Sequence, residues 1–194
     1  ERQSWLAHTL FGNTPAEVWC TCFATDENNK RIVLTGGDDC KLKLWDLRST
    51  SQPVQVLNHF EAGVTILSPN PKRPHIVAVG SYDETIAIHD VRIATKPLAQ
   101  SSSLGGGIWR IKWHPEVDNR LLIAAMHGGC RVVDLKGDEH GPDFHVTMEF
   151  TKHESMAYGA DWILANGDDD DNDGFEAAIS CSFYDRAIYL WRTR

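Results

Sequence analysis

Gly36-Gly37-Asp38-Asp39-Cys40-Lys41-Leu42-Lys43-Leu44-Trp45-Asp46-Leu47-Arg48 is the stretch on which the reading of this chain turns. The apolar run Ile32-Val33-Leu34 leads into it. Gly36, Gly37 and Asp38 carry turn chemistry, because glycine tolerates positive φ and an aspartate can bond its own backbone. Leu42, Leu44 and the Asp46 position then alternate with Lys41, Lys43 and Trp45, the two-residue period of a strand. The pattern predicts strand, tight turn, strand.

The hairpin recurs. Gly80-Ser81-Tyr82-Asp83-Glu84-Thr85-Ile86-Ala87-Ile88-His89-Asp90-Val91-Arg92 repeats it, with Asp83 six residues before His89 as Asp39 is six before Trp45. Met126-His127-Gly128-Gly129-Cys130-Arg131-Val132-Val133-Asp134-Leu135 repeats it again, with His127 in the aspartate slot. Ser182-Phe183-Tyr184-Asp185-Arg186-Ala187-Ile188-Tyr189-Leu190-Trp191-Arg192 restores both Asp and Trp. Positions 45, 89 and 133 are 44 apart, and 191 follows 58 later, across an acidic insert at 167–176. A period of roughly 40–45 residues ending in Trp-Asp is the mark of WD-repeat propeller blades. The chain is therefore expected to be all-β, a WD-repeat β-propeller of about four blades at 8–57, 59–101, 105–150 and 153–194. Four blades are few, and part of a ring of about seven is expected, with a complete four-bladed ring as the competing arrangement. The final blade ends on a third strand, so its fourth would come from elsewhere.

Composition narrows the function classes. The 194 residues carry a net charge of −8. Six acids between Asp168 and Glu176 account for most of it, and without them the charge is −2. No basic cluster appears, so nucleic acid is not an expected partner. Five cysteines without a CxxC pair read as buried free thiols in a reducing compartment. No apolar run approaches the ~18 residues of a membrane span. Asp169, Asp171, Asp173 and Gly174 imitate the start of a calcium loop, but Ser180 stands where its closing glutamate belongs, so a solvated insert and no metal are expected. No cofactor is expected either.

Within the first blade, His8, Thr35, Asp39 and Trp45 fit the buried hydrogen-bond network of WD repeats. His153, Asp185 and Trp191 do so in the last, and Asp83 sits in the matching slot of the second, where His89 replaces Trp and weakens the set. These residues read as structural and not as a catalytic dyad. The segment 5–8 reads as the outer strand of a preceding blade, 26–30 as a turn, and 101–107 as a flexible loop. Ile108-Trp109-Arg110-Ile111-Lys112-Trp113-His114-Pro115 alternates Trp109, Ile111 and Trp113 with two cations that face either a water-filled channel or a partner. In a propeller, the loops entering the inner strands and the turns between second and third strands share one rim. That rim should carry Tyr82, Gly105 to Trp109, His127, Tyr158 and Tyr184.

Gly-Gly-Ile-Trp-Arg-Ile-Lys-Trp-His-Pro (106–115), Tyr-Gly-Ala-Asp-Trp (158–162) and Cys-Ser-Phe-Tyr-Asp (181–185) resemble one WD-repeat family, the diphthine methyl ester hydrolases of diphthamide biosynthesis, in their C-terminal half. The resemblance implies a cytoplasmic esterase that removes a methyl ester from the modified histidine of elongation factor 2, its protein partner. The residues themselves announce no esterase: there is no Gly-x-Ser-x-Gly elbow and no HExxH set. A non-catalytic scaffold for protein complexes is the alternative, since most propellers bind and do not catalyse. Under the esterase reading His127 is a candidate general base and Arg110 a candidate oxyanion partner. The implied substrate bears a quaternary ammonium group, for which Tyr82, Trp109, Tyr158 and Tyr184 are candidate cage residues.

Overall fold

A computed structural model describes residues 4–23, 32–73, 75–93, 96–138, 141–164 and 176–193. The turn expected at 26–30 and the acidic insert, apart from Glu176, lie outside them. The first sheet holds β1 (Val18–Phe23), β2 (Ile32–Gly37), β3 (Leu42–Asp46) and β4 (Gln55–Leu57) in sequence order. The second repeats this with β5 (Val64–Pro69), β6 (Ile76–Ser81), β7 (Ile86–Asp90) and β8 (Ala99–Gln100). The third holds β9 (Arg110–Trp113), β10 (Arg120–Ala124), β11 (Cys130–Asp138) and β12 (Gly141–Phe150). The fourth has three strands, β13 (Ala157–Leu164), β14 (Glu176–Ser182) and β15 (Ile188–Arg192). All pairings are antiparallel. Among the described residues no helix is long and apolar enough to cross a membrane.

Turn chemistry sets a common register. Gly36 pairs with Leu42, Gly80 with Ile86 and Ala124 with Cys130, so Asp39, Asp83 and His127 sit at the same turn centre. In the fourth sheet Cys181 pairs with Ile188, a turn one residue longer. Cys40, Glu84 and Arg186, each just after the aspartate, take positive φ. Two of these aspartates explain the strain: Asp83 Oδ1 accepts the Thr85 N–H at 3.0 Å and Asp185 Oδ1 accepts that of Ala187 at 2.8 Å. An imidazole offers no such acceptor pair. In the third turn positive φ moves to Met126 and Gly129, and the backbone closes on itself through Gly128 N–H to Ala125 O.

The sheets stack face to face, and each interface is a core. Leu34 and Leu42 meet Val64, Val77 and Val79; Ala78, Ile86 and Ile88 meet Ile108, Leu121 and Ile123; Leu122, Ala124 and Val132 meet Ala160, Ala178 and Trp191. The middle strands are therefore covered on both faces, and β6 and β7 are buried throughout, in keeping with their near-continuous apolar runs Ile76-Val77-Ala78-Val79 and Ile86-Ala87-Ile88. One face of the fourth sheet has no neighbour among the described residues. Ile188 (71% exposed) and Leu190 (63%) hold on β15 the places that Leu42 and Leu44 hold, buried, on β3.

Several expectations need correction. Residues 5–8 form no strand; Trp5 packs on Trp45 with ring centroids 5.8 Å apart. The loop 101–107 is packed, not loose: Leu104, Gly106 and Gly107 are buried, and a Cβ on Gly106 would sit 2.2 Å from Ala125 O. Of the five thiols only Cys130 is fully buried, and Cys181 is exposed.

Candidate functional site

The site starts from an irregularity in the inner strands. β1, β5 and β13 each carry a register shift at their first residues, between Val18 and Cys20, Val64 and Ile66, and Ala157 and Gly159. Such a bulge turns the extra residue out of the ladder. Those residues are Trp19, Thr65 and Tyr158, and Trp109 holds the matching place just before β9. Thr65 turns inward and its hydroxyl donates to Gly80 O and Ile108 O. The three aromatics turn to the rim. Trp19 meets Trp109 at 5.8 Å and Tyr82 at 6.4 Å; Trp109 meets Tyr158 at 5.5 Å; Tyr158 meets Tyr184 at 6.1 Å, which meets Phe183 at 5.1 Å. Three of the five contacts run between different sheets. Geometries range from edge-on to tilted, the arrangements that ring quadrupoles favour.

All four candidate cage residues thus lie in one array. Trp19 belongs to it as well and was not among the candidates. Its signal was available: it is an aromatic at the second position of its inner strand, as Tyr158 is, and Trp109 holds the matching place just before β9. The phenols of Tyr82 and Tyr184 and burial raise the Tyr158 hydroxyl above the usual phenol range, burial being the larger cause.

His127 is exposed at its turn apex and makes no hydrogen bond to another described residue. Its backbone is pinned by the glycine loop, since a Cβ on Gly106 would lie 2.9 Å from His127 N, and one on Gly107 3.1 Å from Tyr82 Cδ2. Arg110 pairs with Ala124, the residue at which the His127 turn departs, so both candidates stand at one end of the third sheet. Arg110 is exposed and lines a cleft of about 320 Å³ with Lys112, Asp161, Ile179, Cys181 and Ile188. Lys112 is not free: its ammonium meets Asp161 Oδ2 at 2.8 Å. Neither cation is buried unpaired.

The polar networks differ between blades. His8 Nδ1 lies 2.6 Å from Asp39 Oδ1, its Nε2 2.7 Å from Thr35 Oγ1, and Trp45 Nε1 donates to that hydroxyl at 2.9 Å. Since the carboxylate only accepts, Nδ1 carries the proton and Nε2 accepts from the hydroxyl. Lys43 Nζ adds a 3.1 Å ion pair to Asp39 Oδ2. In the last blade His153, Asp185, Ser180 and Trp191 repeat the geometry at 3.0 to 3.1 Å. Asp83 does not join such a chain. It accepts from Glu61 N at 2.9 Å and from the Thr85 hydroxyl at 2.7 Å, while Val79 fills the hydroxyl place. His59 and His89 stack at 5.0 Å, and both His89 ring nitrogens lack hydrogen-bond partners among the described residues.

A separate ion network escaped the sequence. Arg120 binds Asp134 at 2.7 Å and Glu176 at 3.2 Å, and His114 Nε2 approaches Glu176 at 3.2 Å, joining the third and fourth sheets at the end away from the aromatic rim. Among the described residues no group of three or more His, Cys, Asp or Glu is placed to hold a metal ion.

Comparison with known proteins assigns the fold and a set of relatives. The family described as "WD domain, G-beta repeat" matches residues 4–46 and 51–90. A diphthine methyltransferase homolog of Dictyostelium discoideum is 34% identical over 98% of this chain and 52% of its own length. The mouse diphthine methyltransferase is 37% identical over 82% of this chain and 32% of its own length. That of Schizosaccharomyces pombe is 34% identical over 90% of this chain and 51% of its length. The chain thus spans between a third and a half of these relatives. A chain in the crystal structure of the mitotic checkpoint complex superposes with a TM-score of 0.70 at 17% identity, covering 97% of this chain and 52% of that one, a likeness of fold alone. Four sheets of common register and the matched repeats together make this chain a WD-repeat β-propeller protein, similar in sequence to diphthine methyltransferases.

Proposed function

We propose that the protein hydrolyses the methyl ester of methylated diphthine on elongation factor 2, a step of diphthamide biosynthesis carried out in the cytoplasm. The observation that carries the reading is the aromatic array from Tyr82 through Trp19, Trp109 and Tyr158 to Tyr184, which gathers ring faces where a substrate with a quaternary ammonium group would enter. The printed names of the relatives support a diphthine-directed methyl chemistry.

In this mechanism His127 takes a proton from water as the water oxygen attacks the ester carbonyl carbon. The Arg110 guanidinium neutralises the oxyanion that forms. Collapse breaks the bond to the methoxy oxygen, which leaves as methanol with the proton from His127, and the diphthine acid that remains gives its own proton to water to become the carboxylate. A base of this kind contributes about 10²–10⁴ in rate, and one oxyanion donor about 10²–10³.

The test is methanol release from methyl-esterified diphthine on elongation factor 2. His127→Ala and Arg110→Ala proteins with unchanged circular dichroism should each lose about 100-fold or more. Full activity in both would remove these residues from the chemistry. No methanol release by the full-length protein, with tight binding to elongation factor 2 or another protein, would favour the scaffold reading. The same exposed aromatics would support that reading, since they suit a protein surface as well as a cage.

A further inference from the structure

At one end of the aromatic array lies a recess of about 310 Å³ lined by Trp19, Asp38, Cys40, Ala62, Gly63 and Tyr82. We propose that this recess binds an alkylated ammonium group, its charge set against the Asp38 carboxylate and its methyl groups against Trp19 and Tyr82. Under the function proposed above, which this inference deepens, the group is the quaternary ammonium of the substrate.

Three observations carry it. First, Trp19 and Tyr82 meet near-perpendicular, at 78°, so an occupant meets a ring face from one and a ring edge or face from the other. Second, the Asp38 carboxylate is exposed and has no hydrogen bond or ion pair with another described residue, while its neighbour Asp39 is paired with Lys43 and accepts from His8. The field is negative here: after burial, the charges of Asp38, Asp39 and Asp83 raise the Cys40 thiol above its ordinary range. Third, the carbonyls that line the recess are already engaged. Gly63 O accepts the Tyr82 N–H at 2.9 Å and the Ser81 hydroxyl at 3.2 Å, and Ala62 O accepts that hydroxyl at 3.1 Å. The Cys40 thiol donates to Asp38 O.

These features select among cations. A primary ammonium loses three strong hydrogen bonds to water and needs acceptors in return. This recess offers one free carboxylate; its thiol and carbonyls are already engaged, and the rest of its lining is carbon. A fully alkylated ammonium has no N–H to satisfy and is attracted to ring faces. Gly63 keeps the floor open, because a Cβ there would stand 3.3 Å from Asp38 Oδ1.

Titration of the full chain with tetramethylammonium, followed by tryptophan fluorescence and by proton NMR, tests the recess. Methylammonium should bind about tenfold more weakly than tetramethylammonium, and Trp19→Ala and Asp38→Asn should each weaken tetramethylammonium about tenfold, the loss of one desolvated contact. Val146→Ala, exposed on β12 and outside both the array and the recess, should leave it unchanged. Equal binding of both probes, or undiminished tetramethylammonium binding in Trp19→Ala and Asp38→Asn, overturns the assignment. Methanol release separates this from the hydrolase reading. Selective tetramethylammonium binding with no ester cleavage keeps the recess and refutes the hydrolase. Ester cleavage with unchanged KM in Trp19→Ala and Asp38→Asn keeps the hydrolase and refutes the recess.

Discussion

Asp39→Ala should cost far more stability than Asp83→Ala, although the two residues occupy the same turn position. Asp39 holds His8 at 2.6 Å and Lys43 at 3.1 Å, and the three side chains are 0 to 10% exposed. Burial alone would raise the Asp39 carboxyl, but its bonds to His8 and Lys43 outweigh that and hold it below the usual range, so the charge is kept in the fold. Removing it strands a buried ammonium on the Ala7 carbonyl and leaves the His8 ring without its acceptor. Breaking a buried ion pair from one side costs about 3–5 kcal/mol. Asp83 serves no buried cation; it caps its own turn through Glu61 and Thr85. Loss of such a cap costs about 1 kcal/mol. The difference of about 2–4 kcal/mol corresponds, for a urea m-value of about 2 kcal/mol/M, to a gap of about 1–2 M in unfolding midpoint. Urea titrations of the wild type and both variants, read by tryptophan fluorescence, measure it. Midpoints for the two variants within about 0.3 M of each other would refute the account of the His8–Asp39–Lys43 cluster.

Two further outcomes follow from the buried titratable groups. Burial, reinforced by the neighbouring His59, lowers His89 from 6.5 to about 3. A depressed histidine makes the unfolded chain the better proton binder between those values, so stability is complete above pH 6.5 and falls as pH falls, by about 1.4 kcal/mol per unit. Urea midpoints between pH 7 and 5 should drop in the wild type and drop less in His89→Phe; identical slopes would show that His89 is not the source. Burial also pushes the Cys20 and Cys22 thiols up to about 12 and that of Cys130 up to about 11, whereas Cys181 is exposed. A disulfide reagent at pH 8 should therefore modify Cys181 ahead of those three, and Cys181→Ser should remove one thiol equivalent from the fast phase; a fast phase of unchanged amplitude would refute the ranking.

What was legible in the sequence was what local chemistry decides. Gly-Gly-Asp and Gly-Ser-Tyr-Asp turns, strand periodicity and a 44-residue spacing suffice for hairpins and for their repetition, because turn and strand preferences act between near neighbours. The packed state of the loop 101–107 was not legible. Glycine runs read as flexible until a second segment, here the turn at 125–128, closes on them. The continuous apolar runs of β6 and β7 mark burial on both faces, but what covers them was not legible, because coverage comes from sheets tens of residues away. His59 and His89 read as near-members of a polar network, yet without the Thr35 or Ser180 hydroxyl the chain of bonds has no middle link.

Local preferences along the chain suffice for repeated antiparallel hairpins with WD-repeat turns. That Trp19, Tyr82, Trp109, Tyr158 and Tyr184 form one surface is an outcome of tertiary packing. These residues come from four sheets, and their meeting depends on a bulge in the inner strands and on the stacking of each blade on the next. Stacking is driven by apolar area without regard to order along the chain. It places on one rim residues that no local pattern connects.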